Sequence, residues 1–465
     1  MAIFSAYTND EIINFLKQNA PHAEIHVDDE TSAKHTANGN AENSIEGKIL
    51  AYVAVGDKDD IRGVLRTAQK FHLPVVPQTA DTSTVIGADG INDGIILSVA
   101  KLNHIKEIDK DDSLAVVEPG VINQDLDQAA RKQGMFYAPD PASKPMSAIG
   151  GNVSTNAGGL SGVRYGATKD SVLGLKVMLT NGQEIKLGGR TYKQAYGYDL
   201  AQLLVGSEGT LGIITEVTVK LFPIPLGKTI TGIAFFDDMA KLAEGVKAIR
   251  NSGLYPSMLE ALDGKTVKAL DNYEHTSYSQ SDTSSLLIFS IDSASDLKLN
   301  TVKRILDEQG AWHVKITDNP EEAKGLIKLR QDMLPAVFSN AKYYIMEDMA
   351  VPLSKLSEMV KYIAKVGEDL NVDIYTAGHA GDGNLHPSLL WNDQPTAPDR
   401  VIEATRRMFR KTLELGGTIS GEHAVGMSKN QWTNEELGDT VDVLQHQIKN
   451  LFDPMGILNP KRKIN

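Results

Sequence analysis

The sequence predicts a mixed helix-and-sheet protein of several domains: an N-terminal α+β domain, a middle α/β domain and a C-terminal segment of open allegiance. Three observations predict it. Residues 49–77 read as strand, helix and strand, the length of one βαβ unit. A stretch dense in glycine and proline, between Ala138 and Gly166, lies among strand signals. Pro223-Ile224-Pro225 then marks a boundary, beyond which helix and strand alternate with few glycines as far as Tyr375. At 465 residues the chain has room for roughly two to four domains.

Taken in order, residues 23–47, rich in Asp, Glu, His, Thr and Asn, read as an exposed excursion before a first strand at 49–55. Asp57, Asp59 and Asp60 suit the start of a helix, whose dipole favours acids there, and Ile61, Val64, Leu65 and Ala68 recur at helical spacing. His72-Leu73-Pro74 ends that helix, and 75–77 is a short buried strand. Strands follow at 94–98 and 113–118. Pro119-Gly120 punctuates, and a helix over 123–133 is closed by Gly134. The stretch from Ala138 to Gly166 is too broken for a long helix or strand, and such segments bring backbone close to a ligand or another chain segment. Strands at 174–179 and 184–187 flank Asn181-Gly182, a strong hairpin signal, and 212–222 is another strand. The last third returns to glycine-rich loops, 378–386 and 416–426, around amphipathic helices, and 452–460 reads as turn.

Composition excludes several functions. The net charge of −13, from 47 Lys and Arg against 60 Asp and Glu, argues against nucleic-acid or anionic-lipid partners, which select basic faces. With no cysteine there is no disulfide, thiolate zinc site, cysteine nucleophile or cysteine-held iron–sulfur cluster in the chain. The N-terminus shows neither a basic region nor a long apolar core, so no signal peptide is read. No apolar run approaches the ~20 residues of a membrane helix, so a soluble, cytoplasmic protein without a transmembrane segment is expected.

The common nucleotide fingerprints are missing. There is no G-x-G-x-x-G after a strand, no P-loop and no G-x-S-x-G elbow. Residues 206–212 are glycine-spaced but precede a strand. Residues 149–159 offer backbone N–H groups with Asn and Thr side chains, which suits a ligand of many carbonyls and phosphates such as a flavin dinucleotide; a structural Ω-loop is the plain alternative. The sharper constellation is 378–386. With Asp382-Gly383 as a two-residue hairpin turn, His379 falls directly opposite His386, at the separation metal binding needs. Glu422 is the obvious third ligand, and nitrogen and oxygen donors would suit zinc, manganese or iron. The alternative is a pair of histidines hydrogen-bonded in a packed turn. His423 is a candidate general base. Arg330 follows an apolar helical stretch; the bland expectation is a solvated or ion-paired arginine, and in a pocket it would clamp a carboxylate.

Several long motifs occur together in order: Tyr137-Ala138-Pro139-Asp140-Pro141, residues 149–159, Tyr198-Asp199-Leu200 with 204–215, residues 378–387, Gly421-Glu422-His423, and Phe452-Asp453-Pro454 with Ile457-Leu458-Asn459-Pro460. On these the sequence resembles the glycolate oxidase D-subunit and D-lactate dehydrogenase group of the vanillyl-alcohol oxidase/p-cresol methylhydroxylase-type FAD enzymes, from about residue 49 to 460. The resemblance implies an α+β fold in which residues 1–225 are a two-part FAD-binding domain, divided near 110. Residues 226–415 would form an α/β cap, and 416–465 a segment packing back on the FAD domain. It implies FAD held by Pro77, Thr79, Ala80, Asp81, Thr82 and Ser83, by Pro139, Asp140, Gly150, Gly151, Asn152 and Thr155, and by Glu208, Gly212, Ile213 and Ile214.

It further implies a divalent metal on His379, His386 and Glu422, with His423 as base, Asn384 lining the site and Arg330 gripping the substrate carboxylate. The implied reaction is oxidation of a small D-2-hydroxy acid, D-lactate or glycolate, by hydride transfer to flavin N5. Electrons would pass to a quinone, a soluble acceptor or a partner protein, and a homodimer is one assembly left open. An oxidase that uses oxygen, or a flavin-binding scaffold without turnover, are the alternatives. Three departures stand out. Relatives carry Arg-Gly-x-Gly-Thr after the proline, where this chain has Gln78-Thr79-Ala80-Asp81-Thr82, without glycine and with an added carboxylate. Ala424 replaces a glycine, a change expected to crowd the backbone. Leu334 and Glu347 replace a threonine and a lysine, which favours a small monocarboxylate over a dicarboxylate.

Overall fold

The computed structural model describes residues 7–36 and 48–464, which divide into two compact units. One unit comprises residues up to 157, 167–224 and the segment from Glu422 onward; the other comprises 158–166 and 225–421. Among the described residues no helix is long and apolar enough to cross a membrane.

The first unit holds two main sheets. In one, the strands lie in the order Glu24–His26, Ala51–Ala54, Ile95–Ser98, Val75–Gln78, and the last three run parallel. Parallel neighbours need a crossover, supplied by the helix Lys58–Phe71. That helix begins where the Asp57 side chain accepts the N–H groups of Asp59 and Asp60, and it stops where His72 turns left-handed at φ 55°. Its buried Ile61, Val64, Leu65 and Ala68 pack with Val53, Val75, Ile95 and Leu97. Residues 24–36 are more ordered than their composition suggests. They form an edge strand and the helix Asp29–Thr36, which buries only Ser32 and Thr36, so few apolar residues are required. The rest of that polar segment, 37–47, lies outside the described residues.

The second sheet of this unit is antiparallel, in the order Ile105–Asp109, Leu114–Val117, Ile213–Lys220, Val172–Met178, Glu184–Gly188. The Asn181-Gly182 hairpin closes by a bond of 2.9 Å from Leu179 N to Gln183 O, with Gly182 at φ 80°. Helices Asn123–Arg131 and Ile149–Thr155 cover the sheet, burying Leu126, Ile149 and Val153 against Val117, Val177 and Val217. The C-terminal segment is built into the same unit. After the helix Thr433–Phe452, Ile457 and Leu458 enter the core of the first sheet, and the backbone of Val75 bonds Ile457 O (2.7 Å) and Asn459 N (2.8 Å).

In the second unit strands and helices alternate along the chain, yet every strand pair is antiparallel. The order is Trp312–Thr317, Ile230–Phe236, Ser285–Ile291, Met258–Leu262, Asp373–Gly378, Asn384–Trp391, Tyr343–Met346. The hairpin at 378–386 differs from the expectation. Ala377, not His379, pairs with His386. Two residues are not enough for the turn, because His379 O accepts both Asp382 N (3.2 Å) and Asn384 N (3.3 Å) and Gly383 sits at φ 85°. The displacement is by two residues, so side chains keep the face that the sequence assigned them.

Candidate functional site

In the first unit the residues expected to hold FAD come from three places. The strand Val75–Gln78 runs into a loop over residues 79–90. Pro77 packs on a second turn, where Gly209 (φ 70°) has no room for a side chain: a Cβ there would lie 2.9 Å from Pro77 Cγ. Within the first loop, Ser83 Oγ accepts Gly87 N (3.3 Å). Thr79, Ala80 and Thr82 are half-buried. Asp81 adopts φ 53°. That is the left-handed region, which aspartate tolerates better than most side chains.

The charge in this loop is crowded. Burial pushes the Asp89 carboxyl up to about 6, helped by the Asp81 charge and opposed by Arg462. Burial also raises Asp81; its carboxyl is surrounded by protein atoms although water still reaches the side chain.

The glycine-rich stretch at 149–159 proves to be a short helix, Ile149–Thr155, so most of its N–H groups are already used. Ile149 N and Gly150 N bond Val121 O and Pro119 O at 2.8 Å. Gly150 is required by close packing, since a Cβ would lie 2.5 Å from Pro119 Cβ, and Gly151 admits Thr79 Oγ1 at 2.9 Å from the same position. Thr155 Oγ1 folds back on Gly151 O (3.1 Å). Pro139 O accepts Asn123 Nδ2 (3.1 Å), and Asp140 is half-buried beside it in sequence. Gly212 fits against Val177, while Ile213 and Ile214 spend their side chains in the two cores, leaving only backbone for a ligand.

Glu208, at φ 54°, turns its carboxylate to Val425 N (3.0 Å) and Gly426 N (2.7 Å) of the C-terminal segment. Buried polar atoms in this unit are open to a polar partner. Tyr137 Oη and Asn152 Nδ2 have no hydrogen-bond partner among the described residues, and burial holds the Tyr137 phenol well above its usual range. Leaving such an atom unmade costs about 1–3 kcal/mol, which a polar cofactor would offset. The residue set therefore fits FAD.

The second unit carries a buried polar cluster. Glu260, on the strand Met258–Leu262, is fully buried. Its carboxylate accepts Arg330 Nε (2.8 Å) from the helix Pro320–Phe338, and it meets His379 Nδ1 at 2.8 Å. The strand register explains the meeting: Ala261 pairs with Gly378, which brings Glu260 opposite His379. Arg330 is thus buried and ion-paired, with its two terminal nitrogens bonded to nothing among the described residues. His379 and His386, both buried, stand with ring centroids 5.3 Å apart and planes at 83°, and a nitrogen of each lies within 4.8 Å of the other. The fully buried Asp348 accepts Asn384 Nδ2 (3.1 Å) and lies 3.8 Å from His386 Nδ1, while Asn384 Oδ1 is buried without a partner. Glu347 is buried, and Leu334 packs against the core of this unit.

Glu260 and Asp348 escaped the sequence reading. Nothing local marks them, since their partners lie far away along the chain. Glu422 and His423 belong to the first unit, at the start of its C-terminal segment. Ala424, next to them, sits at φ 73°, in the left-handed region that glycine adopts without strain.

The chain matches the model of the C-terminal domain of FAD linked oxidases over residues 228–462 and that of an FAD binding domain over 49–188. It is 38% identical over 419 residues to the glycolate oxidase subunit GlcD of Bacillus subtilis, covering 88% of each chain. It is 32% identical over 463 residues to a D-lactate dehydrogenase of Anaerostipes hadrus, covering 97% of this chain and 96% of that one. Among solved structures, p-cresol methylhydroxylase with substrate bound superposes with a TM-score of 0.80 at 15% identity, over 98% of this chain and 97% of the other. The 4-ethylphenol oxidase of Gulosibacter chungangensis gives 0.79 at 15%, over 100% and 98%. The fold is therefore that of p-cresol methylhydroxylase, and the chain belongs to the FAD-linked oxidases, with glycolate oxidase D-subunits and D-lactate dehydrogenases among its relatives.

Proposed function

We propose that the protein oxidises a small D-2-hydroxy acid, D-lactate or glycolate, to the 2-oxo acid, C2 losing a hydride and the hydroxyl a proton. The observation that carries this reading is the Glu260 carboxylate, which fixes Arg330 by its Nε alone. The rest of that planar guanidinium is then a preoriented clamp for a substrate carboxylate. FAD, when bound, supplies the two-electron acceptor for the hydride. His423 takes the hydroxyl proton, a role that comes from the motif Gly421-Glu422-His423. Asn384 is held by Asp348 through its nitrogen, so its oxygen is fixed to accept a hydrogen bond from the substrate hydroxyl.

His379 and His386 are the residues of the second unit suited to a divalent metal, and the motif assigns Glu422 as the third ligand. A histidine that binds a metal through one nitrogen usually donates the other N–H to a carboxylate, and His379 has Glu260 at its Nδ1. Zinc, manganese or iron, when bound, would supply a Lewis acid. Glu347 in place of a lysine disfavours a second substrate carboxylate, which points to a monocarboxylate. A quinone, a soluble acceptor or a partner protein would take the electrons onward, and the cytoplasm is the proposed compartment.

Anaerobic mixing with D-lactate, L-lactate and glycolate, followed at the flavin band near ~450 nm, tests the reading. Bleaching by D-lactate or glycolate and not by L-lactate is expected. A protein that carries flavin and is bleached by none of the three overturns the reading and favours a scaffold. Rapid return of the band on admitting air identifies an oxidase.

A further inference from the structure

The loop after Pro77 has five successive carbonyl oxygens that are each engaged, four of them by the C-terminal segment. Val85 O accepts Met427 N (3.0 Å) and Ser428 N (3.3 Å). Ile86 O accepts Arg462 Nε (3.2 Å), Gly87 O accepts Asn459 Nδ2 (3.0 Å) and Asp89 O accepts Arg462 Nη2 (2.6 Å). The fifth, Ala88 O, is held from inside the loop's own strand by Gln78 Nε2 (3.1 Å). Arg462 is 1% exposed and also bonds Pro460 O through Nη1 (3.1 Å), so all its nitrogens are spent on backbone.

Burying a guanidinium to hold neutral carbonyls is costly, and the consequence for the loop shows what it achieves. In a trans peptide the C=O and the next N–H point in opposite directions. With the carbonyls of Val85, Ile86, Gly87 and Asp89 drawn toward the C-terminal segment, the N–H groups that follow them face the other way. Gly87 N is taken by Ser83 Oγ (3.3 Å) and Gly90 N by His35 O (2.8 Å), while Ile86 N and Ala88 N donate to nothing among the described residues. The conformation is not one the loop would choose. Ile86, a β-branched residue, sits at φ 56°, which is strongly disfavoured without external support. Glycine would reach such backbone freely, and this chain has none between Pro77 and Gly87.

We propose that Arg462 is a positioning residue for FAD, which grips the carbonyls of Ile86 and Asp89 and so fixes this loop with its N–H side turned to the cofactor diphosphate. This rests on the reading of residues 77–83 as part of the FAD cradle. Arg462 does this from the far end of the chain and touches no substrate.

The full-length protein is stripped of FAD and retitrated by quenching of flavin fluorescence, for the wild type, Arg462→Gln, Arg462→Lys and the neighbouring Lys461→Gln. Loss of the guanidinium's bonds to two loop carbonyls should raise the FAD dissociation constant roughly ten- to a hundred-fold in Arg462→Gln. Arg462→Lys, which keeps the charge, should recover part of it, and Lys461→Gln should match the wild type. The thermal midpoint of the FAD-free protein should differ little between Arg462→Lys and wild type. Wild-type FAD affinity in both Arg462 variants overturns the proposal. So does a lowered FAD-free midpoint with unchanged FAD affinity, which would make Arg462 merely structural. A wild type that fails to rebind FAD at all would overturn the cradle reading itself.

Discussion

The two regions to which the proposed function is assigned are built on opposite principles. The cradle of the first unit offers a ligand mostly backbone. Its glycines are placed for close approach, Gly151 beside Thr79 and Gly209 beside Pro77, and its Ile213 and Ile214 side chains are spent on packing. The cluster of the second unit is made of side chains: Glu260, Arg330, His379, His386, Asp348 and Asn384, all buried. Backbone donors carry no net charge to desolvate. Side-chain charges at low exposure hold their geometry only when paired, and Glu260 pairs with both Arg330 and His379. A change in the cradle should therefore read out as affinity or stability, and a change in the chemical groups as rate.

Variants can break or sharpen this contrast. The largest effect is expected for His423→Ala, whose turnover should fall by roughly 10²–10⁴-fold while FAD stays bound. Stopped-flow reduction of the flavin measures it, and wild-type turnover would end the assignment of His423 as base. Next, Glu260→Gln keeps the volume but gives up the charge that pairs Arg330 and orients His379. Activity and bound metal should fall by about 10–100-fold, as for other groups that orient ligands, with metal content read by atomic spectroscopy. Unchanged kinetics and metal content would reduce Glu260 to a packing role.

In the cradle the expected effects are smaller. The Asp89 carboxyl is pushed up to about 6 in the folded protein, above its usual value, so the fold favours the protonated form. Stability from this group is then full below about pH 4 and is lost as pH rises toward and through about 6. Asp89→Asn should remove that slope and gain on the order of 2 kcal/mol at pH 8, which denaturant melts at several pH values would reveal. An unchanged slope would show that Asp89 titrates normally. Smallest, Ala424→Gly should relieve a left-handed alanine and stabilise by about 0.5–1 kcal/mol, after the entropy glycine loses is set against the strain removed. A lower midpoint for this variant would mean that the methyl group packs usefully.

The cradle was legible in the sequence as a composition and misread in its detail. Glycine and proline density announced a place where backbone approaches something, yet it did not reveal that 149–155 is a helix whose N–H groups are mostly consumed. The histidine pair was legible because Asp382-Gly383 sits midway between two histidines. The turn proved longer than two residues because His379 O captures two N–H groups, but the even displacement left both rings on the expected face. Glu260, Asp348 and Arg462 were invisible, since each acts on residues brought near only by strand pairing or by the returning C-terminal segment.

The sequence by itself determined the family, the order of its elements and the residue types of the candidate site, because these rest on local pattern and on motifs read along the chain. Only the tertiary structure decided that Glu260 lies opposite His379, that Ile86 is held left-handed, and that a C-terminal arginine grips a loop of the N-terminal sheet. Such contacts depend on strand register and on closure over hundreds of residues, neither of which leaves a periodic trace in the residues themselves.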